Sequence, residues 1–322
     1  MSRTYKATGI NLKSMPMGEA DRLLTILTRE FGLVRAVAMG ARKHNSRLGG
    51  RSELFVVNEL LIAKGRSLDK ITQAETLESY PRLGQDLKKL IASQYLAELC
   101  LHQALSDQPQ EDLFCLLNEH LARIERSPES QILAHLTHGV FQLLVLAGIA
   151  PQVHICCVTR EALPPDFCDH NWRIGFSIPA GGTVTLSTLE KLLAAQRTRP
   201  QQLASKAAET TLPTEAGYAS LSVTTSTKQN VATDKVPRAI VGLHRRLSAP
   251  ELMLMQHLAE ATLPELKGLL TPVQKQEPSQ RTLDQLWQSV EQALRSYAQY
   301  YFDHPIRSAA LIDACFATAD PA

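Results

Sequence analysis

Three observations predict an α+β protein. The first 80 residues fall into five short strand-like segments, the hydrophobic period turns helical after Pro81, and an excess of basic charge is confined to the start of the chain. Five closely spaced strands suggest a small barrel or sandwich rather than βαβ units, and a basic surface on them points to an N-terminal five-stranded OB-fold barrel over residues 1–80. An all-α domain over residues 81–310 follows, with a short irregular subregion at 151–183.

The strand segments are Tyr5–Leu12, which alternates weakly, then Arg22–Thr28, Leu33–Met39, Leu54–Ala63 and Leu68–Leu77. Glu30-Phe31-Gly32 and Lys64-Gly65-Arg66 read as turns between them. From Pro81, Leu83, Leu87, Leu90, Ile91, Tyr95, Leu96 and Leu99 trace a helical stripe. A second helix spans Glu111–Arg126. Ser127-Pro128-Glu129 then predicts a helix start with Pro at the first helical position. That third helix runs to Ala147, is apolar around most of its circumference, and is expected at the centre of a bundle.

A short helix is expected over Leu186–Gln196, and helical periodicity returns over Pro250–Leu270 and Arg281–Phe302. Residues 198–237 are rich in Ser, Thr, Ala and Gln with one aromatic, Tyr218. Such a segment cannot bury enough apolar surface to offset its ordering entropy, so a disordered insertion is expected there.

With 44% hydrophobic and 20% charged residues, the 322-residue chain has an ordinary globular composition, long enough for two domains. The start MSRTYKATGI has no apolar core of a signal peptide. The longest largely apolar run, Val140–Ile149, is about half of the ~18 residues a membrane span needs. Cys100, Cys115, Cys156, Cys157, Cys168 and Cys315 form no spaced disulfide framework. A cytoplasmic protein without membrane contact fits these features.

Charge is where the sequence is most uneven. Residues 1–82 hold 14 Lys+Arg against 8 Asp+Glu, leaving 20 against 24 in the remainder of a chain whose totals are 34 and 32. Within the basic part, Arg35–Arg51 carries Arg35, Arg42, Lys43, Arg47 and Arg51 with His44 and no acid, and ends near the pair Gly49-Gly50. This reads as a strand delivering a flexible cationic loop suited to phosphates, because each neutralised phosphate releases condensed counterions. Lys64 and Arg66 lie on a second turn that could join the same face. Phe55 is expected in the core, while Phe31 could pack in its turn or stack on a base. So few aromatics favour sequence-tolerant contact with the nucleic-acid backbone.

No Walker-type loop, nucleophile elbow or His-Glu-x-x-His stands in the sequence, so no enzyme activity and no cofactor are expected. His135 and His138 are read as core or interface histidines.

The chain resembles RecO, the bacterial recombination mediator family. The resemblance rests on Gly18-Glu19-Ala20-Asp21-Arg22-Leu23-Leu24, Leu27-Thr28 with Phe31-Gly32, Gly40-Ala41-Arg42-Lys43 and Ser46-Arg47. Further on it rests on Glu98-Leu99, Gly148 with Pro151, Phe176-Ser177 with Gly181-Gly182, and Arg307-Ser308. It implies an N-terminal OB-fold barrel, a central helical domain, and in many members a four-cysteine zinc site. It also implies binding to single- and double-stranded DNA, annealing of complementary strands, and help to RecR in loading RecA onto strands coated by single-strand binding protein, at the nucleoid. The alternative is a helical adaptor acting mainly through protein partners, with DNA binding secondary.

Aligned to the family's two Cys-x-x-Cys pairs, Cys156 keeps the first position, while Thr159, Thr185 and Thr188 take the others. Hydroxyls are poor zinc ligands, so residues 151–183 are expected to be a degenerate zinc-ribbon-like region without metal. A rescue site from Cys156, Cys157, Cys168 and His170 is the weaker alternative.

Overall fold

The first strand of the barrel is longer than its weak alternation suggests. In the computed structural model, which describes residues 4–192, 194, 242–260, 262–263 and 280–316, β1 spans Thr4–Met17. Its pairing with β2 (Asp21–Thr28) continues out to Met17 opposite Asp21, and the register shifts between Asn11 and Lys13. This bulge re-aims the strand, so four successive residues, Gly9 to Leu12, are buried where strict alternation would bury every second one.

Three more strands complete the barrel: β3 (Gly32–Ala38), β4 (Val56–Ala63) and β5 (Asp69–Ser79). They close in the order β1-β2-β3-β5-β4, antiparallel throughout except where Ala36 and Val37 of β3 run parallel to Asp69 and Lys70 of β5. This is the five-stranded OB-like barrel that the strand count and basic surface anticipate. Leu24, Ile26, Ala36, Leu60 and Ile62 fill its interior. Phe31 packs in its turn, edge-on to Tyr5 with ring centroids 4.9 Å apart. Phe55 is core, 3% exposed, and precedes β4 with a φ of 60°.

Helix α1 (Leu87–Gln103) is capped by Asp86, whose carboxylate accepts from the backbone N–H of Lys88 and Lys89. Helix α2 (Glu111–Arg126) carries Glu111 and Asp112 in its first turn and Arg123 and Arg126 in its last, which complements the helix dipole at both ends. Pro128 does not begin the third helix. It is extended, with ψ 159°, and a 3₁₀ turn over Glu129–Gln131 separates it from α3 (Ile132–Leu146). Eleven of the fifteen residues of α3 are buried, and it packs against α1, α2 and the long helix near the C-terminus, which makes it the central helix.

The fold divides into two compact units, Met1–Pro151 with Ala249–Ala322, and Gln152–Ser248. In the smaller one, the region read as irregular contains a three-stranded sheet. Strands β6 (Arg173–Ser177), β7 (Gly182–Val184) and β8 (Arg245–Ser248) run in the order β7-β6-β8, and helix α4 covers 186–192. The larger unit is completed by α5 (Ala249–His257), α6 (Gln280–Phe302) and α7 (Ala309–Phe316). The segment 198–237 and most of the stretch from 258 to Leu270 lie outside the described residues.

Inside the larger unit the barrel is welded to the helices at one turn. Leu33 N–H donates to the Leu105 carbonyl and Gln110 N–H to the Arg29 carbonyl, each at 2.9 Å, and Arg29 pairs with Glu111. Gly32 lies in this seam with φ +63°, and a Cβ there would run into the Leu105 carbonyl oxygen. Gly32→Ala is therefore expected to lower the unfolding free energy by roughly 2–4 kcal/mol, through left-handed strain added to a backbone clash. Gly50→Ala, with open space around the added carbon, is expected to change it by no more than about 0.5 kcal/mol. Urea unfolding of the two variants checks both values.

Candidate nucleic-acid interface

The chain leaves the barrel after Ala38 and returns at Val56, and the connection between them is a wound series of turns rather than an open loop. Lys43 N–H donates to Gly40, Ser46 to Lys43 and Gly49 to Ser46, before a 3₁₀ turn over Gly50–Ser52. Its first half is stapled to the β1–β2 turn. There the Gly40 N–H donates to Asp21 Oδ1 at 2.7 Å, and the Arg42 N–H to the Ala20 carbonyl at 2.8 Å. The Arg42 guanidinium also donates, at 3.0 Å, to the Gly18 carbonyl.

Its second half is held from inside the barrel. Asn11 and Asn58 are both fully buried. The Asn11 amide donates to the carbonyls of Arg51 and Glu53, each at 2.8 Å, and the Asn58 amide donates to Arg51 at 3.0 Å. Asn58 Oδ1 accepts from the Thr76 hydroxyl, and Phe55 N–H donates to the Asn11 carbonyl at 2.9 Å. Buried polar groups are tolerated only when paired, so these amides fix where the chain between Arg51 and Phe55 lies. Sequence reasoning missed both. The available signal was Asn58, a lone amide in the apolar run LFVVNELLIA.

This scaffold presents charge outward. Arg42, Lys43 and Arg47 are exposed, and Arg51 is half-buried, its guanidinium donating to the Arg47 carbonyl at 2.6 Å. The first acid after the cations, Glu53, is tied to Arg22 at 2.8 Å. Among the described residues, none of these four cations forms an ion pair with a carboxylate. Arg35 is exposed on the outer wall of β3, opposite Thr25.

Lys64 and Arg66 are exposed too, but not on the same face. They follow Ala63, at the opposite end of β4 from Val56, which at ~3.3 Å per residue separates the two connections by roughly 20 Å along the strand. Their turn also holds a carboxylate, since Asp69 accepts from Gly65 N–H. The exposed apolar side chains on the strand ends that border the long connection are Met15, Met17 and Met39 rather than aromatics.

The alternative metal set is not assembled. Cys156 is buried, Cys157 half-buried and Cys168 exposed, and no three His, Cys, Asp or Glu among the described residues gather where a metal could be held. His138 is fully buried and bonds the Glu260 carbonyl at 2.9 Å. Burial pushes His120 down to about 3 and His135 to about 4, with His138 and Arg123 adding to the shift, so both are neutral at ordinary pH. They are core histidines, as their sequence setting suggests, although the Nδ1 atoms of His120 and His135 are buried without a protein partner. Among the described residues no helix is long and apolar enough to cross a membrane.

Comparison with known proteins agrees with this architecture. The family model described as Recombination protein O N terminal matches residues 1–80, and that described as Recombination protein O C terminal matches residues 84–211. A DNA repair protein RecO of Nostoc sp. is 52% identical over 320 residues, covering 98% of each chain. The DNA repair protein RecO of Acaryochloris marina is 52% identical over 316 residues, covering 98% of this chain and 96% of its own. That of a Cyanothece sp. is 50% identical over 325 residues, covering 100% of this chain and 99% of its own.

Replacing Asn11 by Leu, which removes two donors but keeps the bulk, is expected to cost about 1–3 kcal/mol by leaving buried carbonyls unpaired. Thermal and urea unfolding measure it, and unchanged stability would show that the amide does not hold the connection.

Proposed function

The chain belongs to the RecO family, and from that membership we propose that it is a non-enzymatic mediator of DNA repair and recombination. In this reading it binds single- and double-stranded DNA, anneals complementary strands, and with RecR helps RecA load on strands coated by single-strand binding protein. It does so in the cytoplasm, at the nucleoid. The observation that carries the reading is the acid-free set Arg42, Lys43, Arg47 and Arg51 on a connection fixed to the barrel at both ends.

A phosphate backbone needs several cations along one track, already placed, so that little ordering entropy is lost on contact. The turns of residues 39–55 meet that need. Arg35 extends the track down the outer wall of β3, and Lys64 and Arg66 meet a nucleic-acid backbone only at a separate point. With Phe31 and Phe55 packed inside, base stacking contributes little, which suits strands of any sequence.

Alanine at Arg42, Lys43 and Arg47 together is expected to reduce the slope of log affinity against log salt for single strands by about 2, at roughly 0.7 per lost phosphate contact. The Lys64→Ala/Arg66→Ala pair is expected to change it less. Fluorescence anisotropy with a labelled oligonucleotide measures both, and an unaltered slope in the triple variant would remove the connection from the interface.

A further inference from the structure

The smaller unit holds the four positions at which the family resemblance places zinc ligands, and their chemistry here does not fit that metal. Structural zinc is held by thiolates, imidazoles or carboxylates, and threonine hydroxyls, protonated at neutral pH, are poor substitutes. Thr159, Thr185 and Thr188 nonetheless gather around Cys156. The Cys156 sulfur, fully buried, accepts from Thr159 N–H at 3.5 Å, and Thr185 Oγ1 donates to Thr188 Oγ1 at 2.7 Å. Burial pushes the Cys156 thiol up. Hydrogen bonds from the side chain and backbone of Thr159 and the backbone N–H of Thr185 and Val158 outweigh it and leave the thiol below its ordinary value. Donors from both knuckles therefore converge on one sulfur.

We propose that Cys156, Thr159, Thr185 and Thr188 form a metal-independent clasp, in which the Cys156 sulfur is the shared hydrogen-bond acceptor that joins the two knuckles where zinc would otherwise do so. The backbone around the clasp makes a metal redundant. The first knuckle closes on itself through Cys156 N–H to the Glu161 carbonyl at 2.8 Å and Arg160 N–H to the Cys156 carbonyl at 2.9 Å. It is laced to the second by Gln152 N–H to Gly181, Thr183 N–H to Gln152 and Cys157 N–H to Thr183, all between 2.8 and 2.9 Å. The Thr183 hydroxyl adds a bond to the Gln152 carbonyl at 3.0 Å. Gly182 has φ +147°, and any Cβ there would strike the Gln152 backbone, so the two knuckles touch directly. The neighbouring Cys157 is no substitute ligand, because burial and the adjacent Cys156 push its thiol up to about 11.

The clasp differs from a zinc site by one substituent per threonine, which makes it testable in the full-length chain. Wild-type protein expressed with zinc is expected to carry far less than one zinc per chain by mass spectrometry of the metal, and to keep its melting temperature in 1,10-phenanthroline. The variant Thr159→Cys/Thr185→Cys/Thr188→Cys is expected to take up a single Co(II) with thiolate charge-transfer absorption, and its melting temperature is expected to become chelator-sensitive. Stoichiometric zinc in wild type with a melting temperature that falls in chelator would overturn metal independence. A folded triple variant without the Co(II) band would overturn convergence of the four positions. If the triple variant does not fold, amide exchange in Cys156→Ala decides: faster exchange at Val158, Thr159 and Thr185 is expected, and unchanged exchange at all three overturns the shared acceptor.

Discussion

Two buried asparagine side chains set the geometry on which the candidate interface depends. A barrel interior made only of Leu, Ile and Ala would have no means of fixing a polar connection above it. Asn11 and Asn58 bring amide donors into that interior and spend them on the carbonyls of Arg51 and Glu53. A buried amide is costly unless paired, and a buried carbonyl likewise, so each pair enforces the other. Because the constraint acts on the backbone, the side chains of Arg42, Lys43, Arg47 and Arg51 stay free to face solvent. Separating scaffold from charge in this way lets a surface bind a polyanion without internal ion pairs to break first.

The same economy recurs elsewhere in the larger unit. Glu291, fully buried in α6, is neutralised by Arg295, which also reaches Asp313 of α7 with two hydrogen bonds at 2.6 and 2.9 Å. Glu98 of α1 accepts from the N–H groups of Arg307 and Ser308 and from the Ser308 hydroxyl, which ties the segment before α7 back to the bundle. Buried polar groups of this kind fix register more than they add stability. In the smaller unit a sulfur takes the corresponding part.

Much of this was legible in the sequence, for physical reasons. Arg22–Thr28 and Leu33–Met39 read as strands because apolar β-branched runs flank Glu30-Phe31-Gly32, and Gly32 supplies the positive φ that the turn requires. The interface cations were legible because an acid-free run of arginines is a local compositional fact. The full length of β1 was not, since a bulge breaks the alternation that marks a strand. Nor was the start of α3, where Pro128 stays extended ahead of a 3₁₀ turn. Strand β8 escaped because four residues carry little periodicity, and its partner β6 lies far back in the chain. That Lys64 and Arg66 belong to the other end of β4 is a matter of strand geometry that charge counting cannot reach.

The central claim is that DNA meets the connection from Gly40 to Arg51. Amide hydrogen exchange of the full-length protein with and without a single-stranded oligonucleotide tests it most directly. The account predicts that slowing is greatest in that stretch and in the adjoining turn from Gly18 to Ala20. Slowing confined to other segments, with exchange from Gly40 to Arg51 unchanged under saturating oligonucleotide, would contradict it.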